Sequence, residues 1–274
     1  MKIIKAYFSP TGGTKKIIDE ISLHIKNLFH SNEIINEFDF TLPDLRKKTL
    51  YFDKDDLVVV GVPVYAGRVP NVLLKYLKSI QAKDALCVAV VSYGNRDFDD
   101  ALIELNDIMI SCGFKMIALG AFIAEHSFSK ILASQRPDLE DLKRCYDFSK
   151  KIVEKIKDVS RNKSLEKDLS PKGQRPYRFY YTPKSKEGEM VDFKKIKPKT
   201  NDSCVDCKLC SNTCPMGSIS YDNPSLIEGI CIKCGSCTKK CPVQAKYFDD
   251  HSYLYHKEEL EINFSQRKEP VFFL

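Results

Sequence analysis

Lys2-Ile3-Ile4-Lys5-Ala6-Tyr7-Phe8 followed by Ser9-Pro10-Thr11-Gly12-Gly13-Thr14 is the stretch on which the reading of the fold turns. The first seven residues are an apolar, β-prone run bounded by a Ser/Pro/Gly loop, which reads as a strand. Beyond the loop, Ile17, Ile18, Ile21, Ile25 and Leu28 recur at helical spacing, so the segment reads strand, loop, amphipathic helix. A loop between a strand and a helix N-terminus offers free N–H groups and the positive end of a helix dipole, both of which favour a phosphate. The hydroxyls of Ser9, Thr11 and Thr14 add donors, and Gly12 and Gly13 let the backbone approach closely. Neither G-x-x-x-x-G-K-[ST] nor G-x-G-x-x-G is present, so the expected ligand is the single phosphate of a mononucleotide.

The same alternation continues outward. Further strands are predicted at Glu33 to Phe40, Asp56 to Val62, Ala85 to Ser92 and Lys115 to Ile123, with helices at Asn71 to Ile80, Asp97 to Cys112 and Pro137 to Asp158. The third and fourth strands are nearly continuous apolar runs, as central parallel strands covered on both faces should be. Five βα units imply an α/β fold with a doubly wound five-stranded parallel sheet of order 2-1-3-4-5. The carboxyl-edge loops Pro63-Val64-Tyr65-Ala66-Gly67-Arg68 and Ser92-Tyr93-Gly94-Asn95-Arg96 then lie beside the phosphate loop. His126, just after the fifth strand, is the candidate catalytic proton donor, although it is expected to be set apart from the ligand by the fourth strand.

Residues 204–215 and 231–242 both read C-x2-C-x2-C-x3-C-P, an internal repeat at an offset of 27. Three thiolates at i, i+3 and i+6 suit three corners of a cuboidal cluster, which needs a fourth sulfur from elsewhere. Zinc also takes four cysteines, but from two C-x2-C pairs rather than three even spacings and a fourth cysteine before proline. Cys87, Cys112 and Cys145 lie in apolar or helical surroundings and are expected to be small core residues.

The repeat resembles the run of bacterial ferredoxins. That resemblance implies crossed ligation of two [4Fe-4S] clusters: Cys204, Cys207, Cys210 and Cys241 on one, and Cys231, Cys234, Cys237 and Cys214 on the other. The Ser/Thr-rich, Gly-containing loop of residues 9–14 resembles the FMN phosphate loop of flavodoxins. By that resemblance Ser9, Pro10, Thr11, Gly12, Gly13 and Thr14 would hold the phosphate, while Pro63, Tyr65, Ala66, Gly67, Arg68, Ser92, Tyr93, Gly94 and Asn95 would surround the flavin. The chain as a whole looks like the flavodoxin/ferredoxin fusions of anaerobic bacteria and archaea. It divides into a flavodoxin-like domain at 1–158, a basic linker or strap at 159–200, a cluster domain at 201–250 and a tail at 251–274 expected to pack back on the protein.

The charge of +6 is uneven, at +2 over residues 1–157, +6 over 158–200 and −2 over 201–274. The basic middle reads as a solvated linker, or as a strap docked on an acidic surface of the cluster domain or a partner. Its Tyr177, Phe179, Tyr180 and Tyr181 suit packing as well as base stacking, so nucleic acid is not the expected partner. No segment approaches the roughly 20 apolar residues of a membrane span, and Met1 to Lys5 lacks the apolar run of a signal peptide. With eight cysteines in a metal-binding pattern, a reducing cytoplasm is the expected compartment. The expectation is electron transfer between the clusters and FMN, serving a redox partner protein or a small-molecule donor or acceptor. The alternative is an FMN-dependent reductase of a small organic substrate fed through the clusters.

Overall fold

The computed structural model describes residues 1–159 and 169–274. Its centre is a six-stranded sheet formed by β1 (Lys2–Tyr7), β2 (Asn36–Asp39), β4 (Asp56–Pro63), β6 (Leu86–Tyr93), β7 (Lys115–Ile123) and β10 (Val271–Phe273). Two short pairs stand outside it: β3 (Tyr51–Phe52) with β5 (Gln81–Ala82), and β8 (Lys199–Thr200) with β9 (Lys246–Tyr247). The helices are α1 (Gly13–Leu28), α2 (Leu74–Leu77), α3 (Ala101–Ser111), α4 (Leu139–Val159), α5 (Leu209–Asn212), α6 (Ser236–Lys240) and α7 (His251–Asn263).

Sheet order is β10-β7-β6-β4-β1-β2, in which the first five strands of the sheet in chain order are parallel and follow 2-1-3-4-5. The expected sheet of five is corrected to six by the tail: Val271, Phe272 and Phe273 pair antiparallel with Ala121, Gly120 and Leu119. An apolar end left in water carries a hydrophobic cost that pairing reduces, and Phe272 stacks on Phe148 at 4.7 Å. The β7 edge is thereby covered as well.

Alternation along the strands supplies two cores. Ile3, Tyr7, Leu57 and Val59 meet Ile17, Ile18, Ile21 and Ile25 of α1 and Phe148 and Ile152 of α4 on one face. Ile4, Ala6, Phe8, Val58, Val60 and Val62 meet Leu77 of α2 and Leu102 and Leu105 of α3 on the other. Cys87, Cys112 and Cys145 are buried in these cores, and all eleven cysteines are free.

Several boundaries move for local reasons. The helix expected from Asn71 to Ile80 is a 3-10 turn followed by α2, closed where the Ser79 hydroxyl donates to the Tyr76 carbonyl at 2.7 Å. α3 begins at Ala101 rather than Asp97 because Asp97 accepts from the Asp99 N–H at 3.0 Å, forming a turn ahead of the helix. Asp138 accepts from the N–H groups of Glu140 and Asp141, both at 3.1 Å, so α4 starts at Leu139 rather than Pro137.

Residues 169–200 form a strap, while residues 160–168 of the expected linker lie outside the described residues. The solvated-linker reading is corrected, because the strap is fastened to carboxylates of the flavodoxin-like sheet's own α3 region. Arg175 grips Asp107 through two bonds of 2.7 and 2.6 Å, and Arg178 Nη1 lies 2.5 Å from Asp100. Lys172 meets Asp97 at 3.0 Å. Tyr180 donates to the Val69 carbonyl at 2.8 Å, and the Arg68 guanidinium lies 4.7 Å from the Tyr177 ring and 5.0 Å from that of Tyr180.

Candidate functional site

The C-terminal repeat is visible in the backbone. Asp206, Lys208 and Gly217 have φ of 54°, 60° and 59°, and their partners 27 residues on, Lys233, Gly235 and Gln244, have 52°, 76° and 53°. α5 and α6 occupy matching places after these turns. Each run therefore wraps three cysteines round a tight loop and sends the fourth away. One cavity is lined by Cys214, Cys231, Cys234 and Cys237, and another by Cys204, Cys207, Cys210 and Cys241. Three cysteines of each cavity belong to one run and the fourth to the other.

The donor chemistry suits an iron–sulfur cluster. Backbone N–H groups of Ser218 and Ala245 donate to the sulfurs of Cys214 and Cys241 at 3.4 and 3.2 Å, again related by the repeat. Burial pushes the Cys234 thiol up to about 12 and raises Cys231 and Cys237 in the same direction, so in water alone these sulfurs stay protonated. Ligation by a metal is what makes such buried thiols thiolates. Among the described residues no three His, Cys, Asp or Glu side chains gather round a single-ion position.

The second site is a crevice at the carboxyl edge of the sheet. Its inner end, about 460 Å³, is lined by Pro10, Thr11, Gly13, Thr14, Pro63, Tyr65, Ser92, Tyr93 and Gly94, together with Glu125, His126 and Ser127. Its outer end, about 890 Å³, shares Tyr65, Tyr93, Gly94 and His126 and adds Ala66, Gly67 and Arg96. The loop of residues 9–14 forms one wall of the inner end. Gly12 adopts φ 93°, and a Cβ on Gly13 would stand 2.8 Å from that of Ala124, so both glycines are required. Thr14 and Ser92 join their hydroxyls at 2.7 Å, linking the first loop to the end of β6.

Four expected residues do not line the crevice. Ser9 turns inward, its Oγ accepting from the Lys15 N–H at 2.9 Å, and Gly12 serves only the turn. Asn95 is buried with its amide spent on the tail, donating to the Phe264 and Gln266 carbonyls at 2.6 and 2.7 Å. Arg68 holds Glu104 in a bidentate pair at 2.8 and 2.7 Å and anchors the strap.

His126 corrects the opposite way. It is not set apart by the fourth strand of the sheet, because Gly94 has no side chain: a Cβ there would lie 2.2 Å from His126 Cδ2. The ring therefore packs on the loop after β6 and lines both ends of the crevice. The Phe128 N–H donates to its Nδ1 at 3.1 Å, which leaves the proton of the neutral ring on Nε2. Burial, reinforced by the positive charges of Lys239, His256 and Arg96, pushes the imidazole down to about 3.

Sequence reasoning missed the far wall, where the strap contributes Tyr181 and Phe193, α7 contributes His256 and Leu260, and the second cysteine run contributes Ile232 and Lys233. The aromatic residues of the strap were the one signal for it. Cys234 lines both the inner end of the crevice and the four-cysteine cavity of the second run, so the two sites adjoin.

Two family models, each of a 4Fe-4S binding domain, match residues 201–217 and 224–247. The chain joins a flavodoxin-like α/β fold to ferredoxin-type 4Fe-4S binding domains. Among solved structures it is similar to a flavodoxin from the domain Archaea, at 20% identity and TM-score 0.40 over 57% of this chain and 99% of that one. Flavodoxin 2 from Bacillus cereus is similar at 18% identity and TM-score 0.41, over 57% and 99% of the two chains. Rubredoxin oxygen:oxidoreductase from Desulfovibrio gigas is similar at 14% identity and TM-score 0.39, over 57% of this chain and 36% of its own. No curated protein matches the chain in sequence. No helix among the described residues is long and apolar enough to cross a membrane.

Proposed function

We propose that this protein is a cytoplasmic electron-transfer iron-sulfur flavoprotein of anaerobic metabolism, with two [4Fe-4S] clusters and one FMN. In this reading residues 1–158 hold the flavin, 159–200 form the strap, 201–250 hold the clusters and 251–274 return to the sheet. Cys204, Cys207, Cys210 and Cys241 hold one cluster, and Cys231, Cys234, Cys237 and Cys214 the other. Pro10, Thr11, Gly13 and Thr14 receive the FMN phosphate, while Pro63, Tyr65, Ala66, Gly67, Ser92, Tyr93 and Gly94 enclose the ring system.

The observation that carries the reading is the double position of Cys234, on the wall of a four-thiol cavity and on the wall of the phosphate-loop crevice at once. When bound, the clusters supply one electron at a time and the flavin takes or gives two. The chain contributes adjacency and enclosure. Ser236 donates to the Pro10 carbonyl at 3.0 Å, and Lys239 reaches the Ser129 carbonyl at 2.9 Å, seaming the second cysteine run to the crevice loops. Tyr181, Phe193 and His256 wall the outer end and narrow the approach to the ring. The cavity of the first run is the port for an outside redox partner, since Cys204 and Cys207 are exposed whereas Cys234 is buried.

Anaerobic purification followed by assay of iron, sulfide, zinc and flavin tests the reading. It expects about eight irons and eight sulfides per chain by the two-cluster count, with one FMN. Zinc without sulfide, or clusters with no flavin after FMN is added back, would end it.

One observation favours the second reading, an FMN-dependent reductase of a small organic substrate. His126 lines the crevice as a neutral ring with its proton on Nε2, a hydrogen-bond donor for a reacting oxygen. A small oxidant that reoxidises the reduced protein stoichiometrically in wild type and slowly in His126→Ala distinguishes a reductase from a relay.

A further inference from the structure

Lys233 lines two cavities, the one formed by Cys214, Cys231, Cys234 and Cys237 and the outer end of the flavin crevice. Its side chain is buried, with the residue 9% exposed, and its Nζ donates to the Cys231 carbonyl at 2.9 Å. Burying an ammonium is costly, and a lysine stem of this length reaches solvent wherever packing allows. The repeat shows that the turn itself does not ask for lysine. Asp206, at the equivalent left-handed position, is exposed and paired on the surface with Lys208 at 2.7 Å. What distinguishes the second position is the flavin crevice beside it.

We propose that Lys233 is a positioning residue for charge: its ammonium, shared between the second-run cluster and the flavin, raises the reduction potential of both. The proposal rests on the cofactor reading above. Reduction adds negative charge to either group, and a fixed cation in a low-dielectric wall stabilises that charge far more than a solvated one would. Placed between the two, the same cation favours an electron on either side of Cys234 over its return to the outer cluster. The outer cavity has a buried cation of its own, Lys246, which lines it and donates to the Pro224 carbonyl. Its charge also reaches Cys237 of the inner cavity, so Lys246 bears on both clusters, whereas it lines neither end of the flavin crevice.

The test is an anaerobic redox titration of the full-length holoprotein, with the flavin read by visible absorbance and the clusters by electron paramagnetic resonance. Lys233→Gln keeps a donor for the Cys231 carbonyl without the charge. It should lower the flavin midpoint and that of one cluster, the latter by about tenfold in the reduced-to-oxidised ratio, or about 59 mV for a one-electron couple. Lys233→Arg should hold both near wild type, and Lys246→Gln should lower the outer cluster more than the inner one and leave the flavin in place. If Lys233→Gln loads poorly, Lys233→Met is read against the same expectation. Full iron, sulfide and FMN contents with an unmoved flavin midpoint, or with both clusters moved equally, would overturn the proposal and leave the parent reading standing. Wild-type protein without clusters or flavin would overturn the parent reading itself.

Discussion

The Ser236 hydroxyl, at the first residue of α6, donates to the carbonyl of Pro10 in the loop after β1 at 3.0 Å, across 226 positions of sequence. Both residues are buried, and the same hydroxyl lies 3.1 Å from the Thr213 carbonyl. The bond joins the second cysteine run directly to the loop that sits at the inner end of the crevice. Ser236→Ala leaves a buried carbonyl short of a donor, which costs about 1–2 kcal/mol. Thermal unfolding should report that loss, and FMN should be retained less tightly in fluorescence titrations.

Crossed ligation, as proposed above, makes a specific demand on iron counts. Cys241 lies in the second run but lines the cavity of Cys204, Cys207 and Cys210. Cys241→Ala should reduce iron from about eight to about four per chain by the ligand count, and the cluster lost should be the outer one. Cys145→Ala, in the core of the sheet, should leave the iron content unchanged.

Asp100 is fully buried and receives the N–H of Gln174 at 3.1 Å, the N–H of Arg178 at 2.7 Å and the Arg178 guanidinium. Its removal strands these donors, at a cost of about 2–3 kcal/mol. Asp100→Ala should therefore release the strap, and trypsin should cut after Arg178 in the variant well before it does so in wild type. Ion pairing to Asp97 and Asp107 would persist, so the sheet should stay folded.

Glu37 provides a pH test. Hydrogen bonding from Tyr7, together with Lys5 and Lys15, holds its carboxyl down at about 2 against an ordinary 4.5. A depressed carboxyl stabilises the fold fully above the unfolded value and loses that contribution as pH falls toward the folded one. Glu37→Gln should cost about 1 kcal/mol at neutral pH, a modest figure because the side chain is 40% exposed and screened by water. The difference between variant and wild type in thermal unfolding should shrink between about pH 4.5 and 2 and be gone below it.

The strands of the sheet were legible because parallel central strands must be apolar on both faces, and Asp56–Pro63 and Leu86–Tyr93 are nearly continuous apolar runs. The edge was harder. β2 is exposed along its length and starts at Asn36 rather than Glu33, since an edge strand has little burial to mark it. In the crevice, the small and hydroxyl residues of the three loops could be read because phosphate and close backbone approach need those residue types. Arg68 and Asn95 could not be separated from them, since whether a polar side chain meets a ligand or another part of the chain depends on what arrives from outside the loop. Here those arrivals were the strap and the tail.

Local order determined what the amino-acid sequence could announce by itself. A period of two or of 3.6 sets strands and helices, and cysteines three apart on left-handed turns face a common point whatever surrounds them. Tertiary structure alone decided that the tail supplies a sixth strand and that strap and α7 wall the crevice. It also decided that Cys234 stands on two cavities at once and that Gly94 admits the ring of His126. These are meetings of segments tens to hundreds of residues apart, selected by the burial and hydrogen bonding of the whole, and no local pattern encodes them.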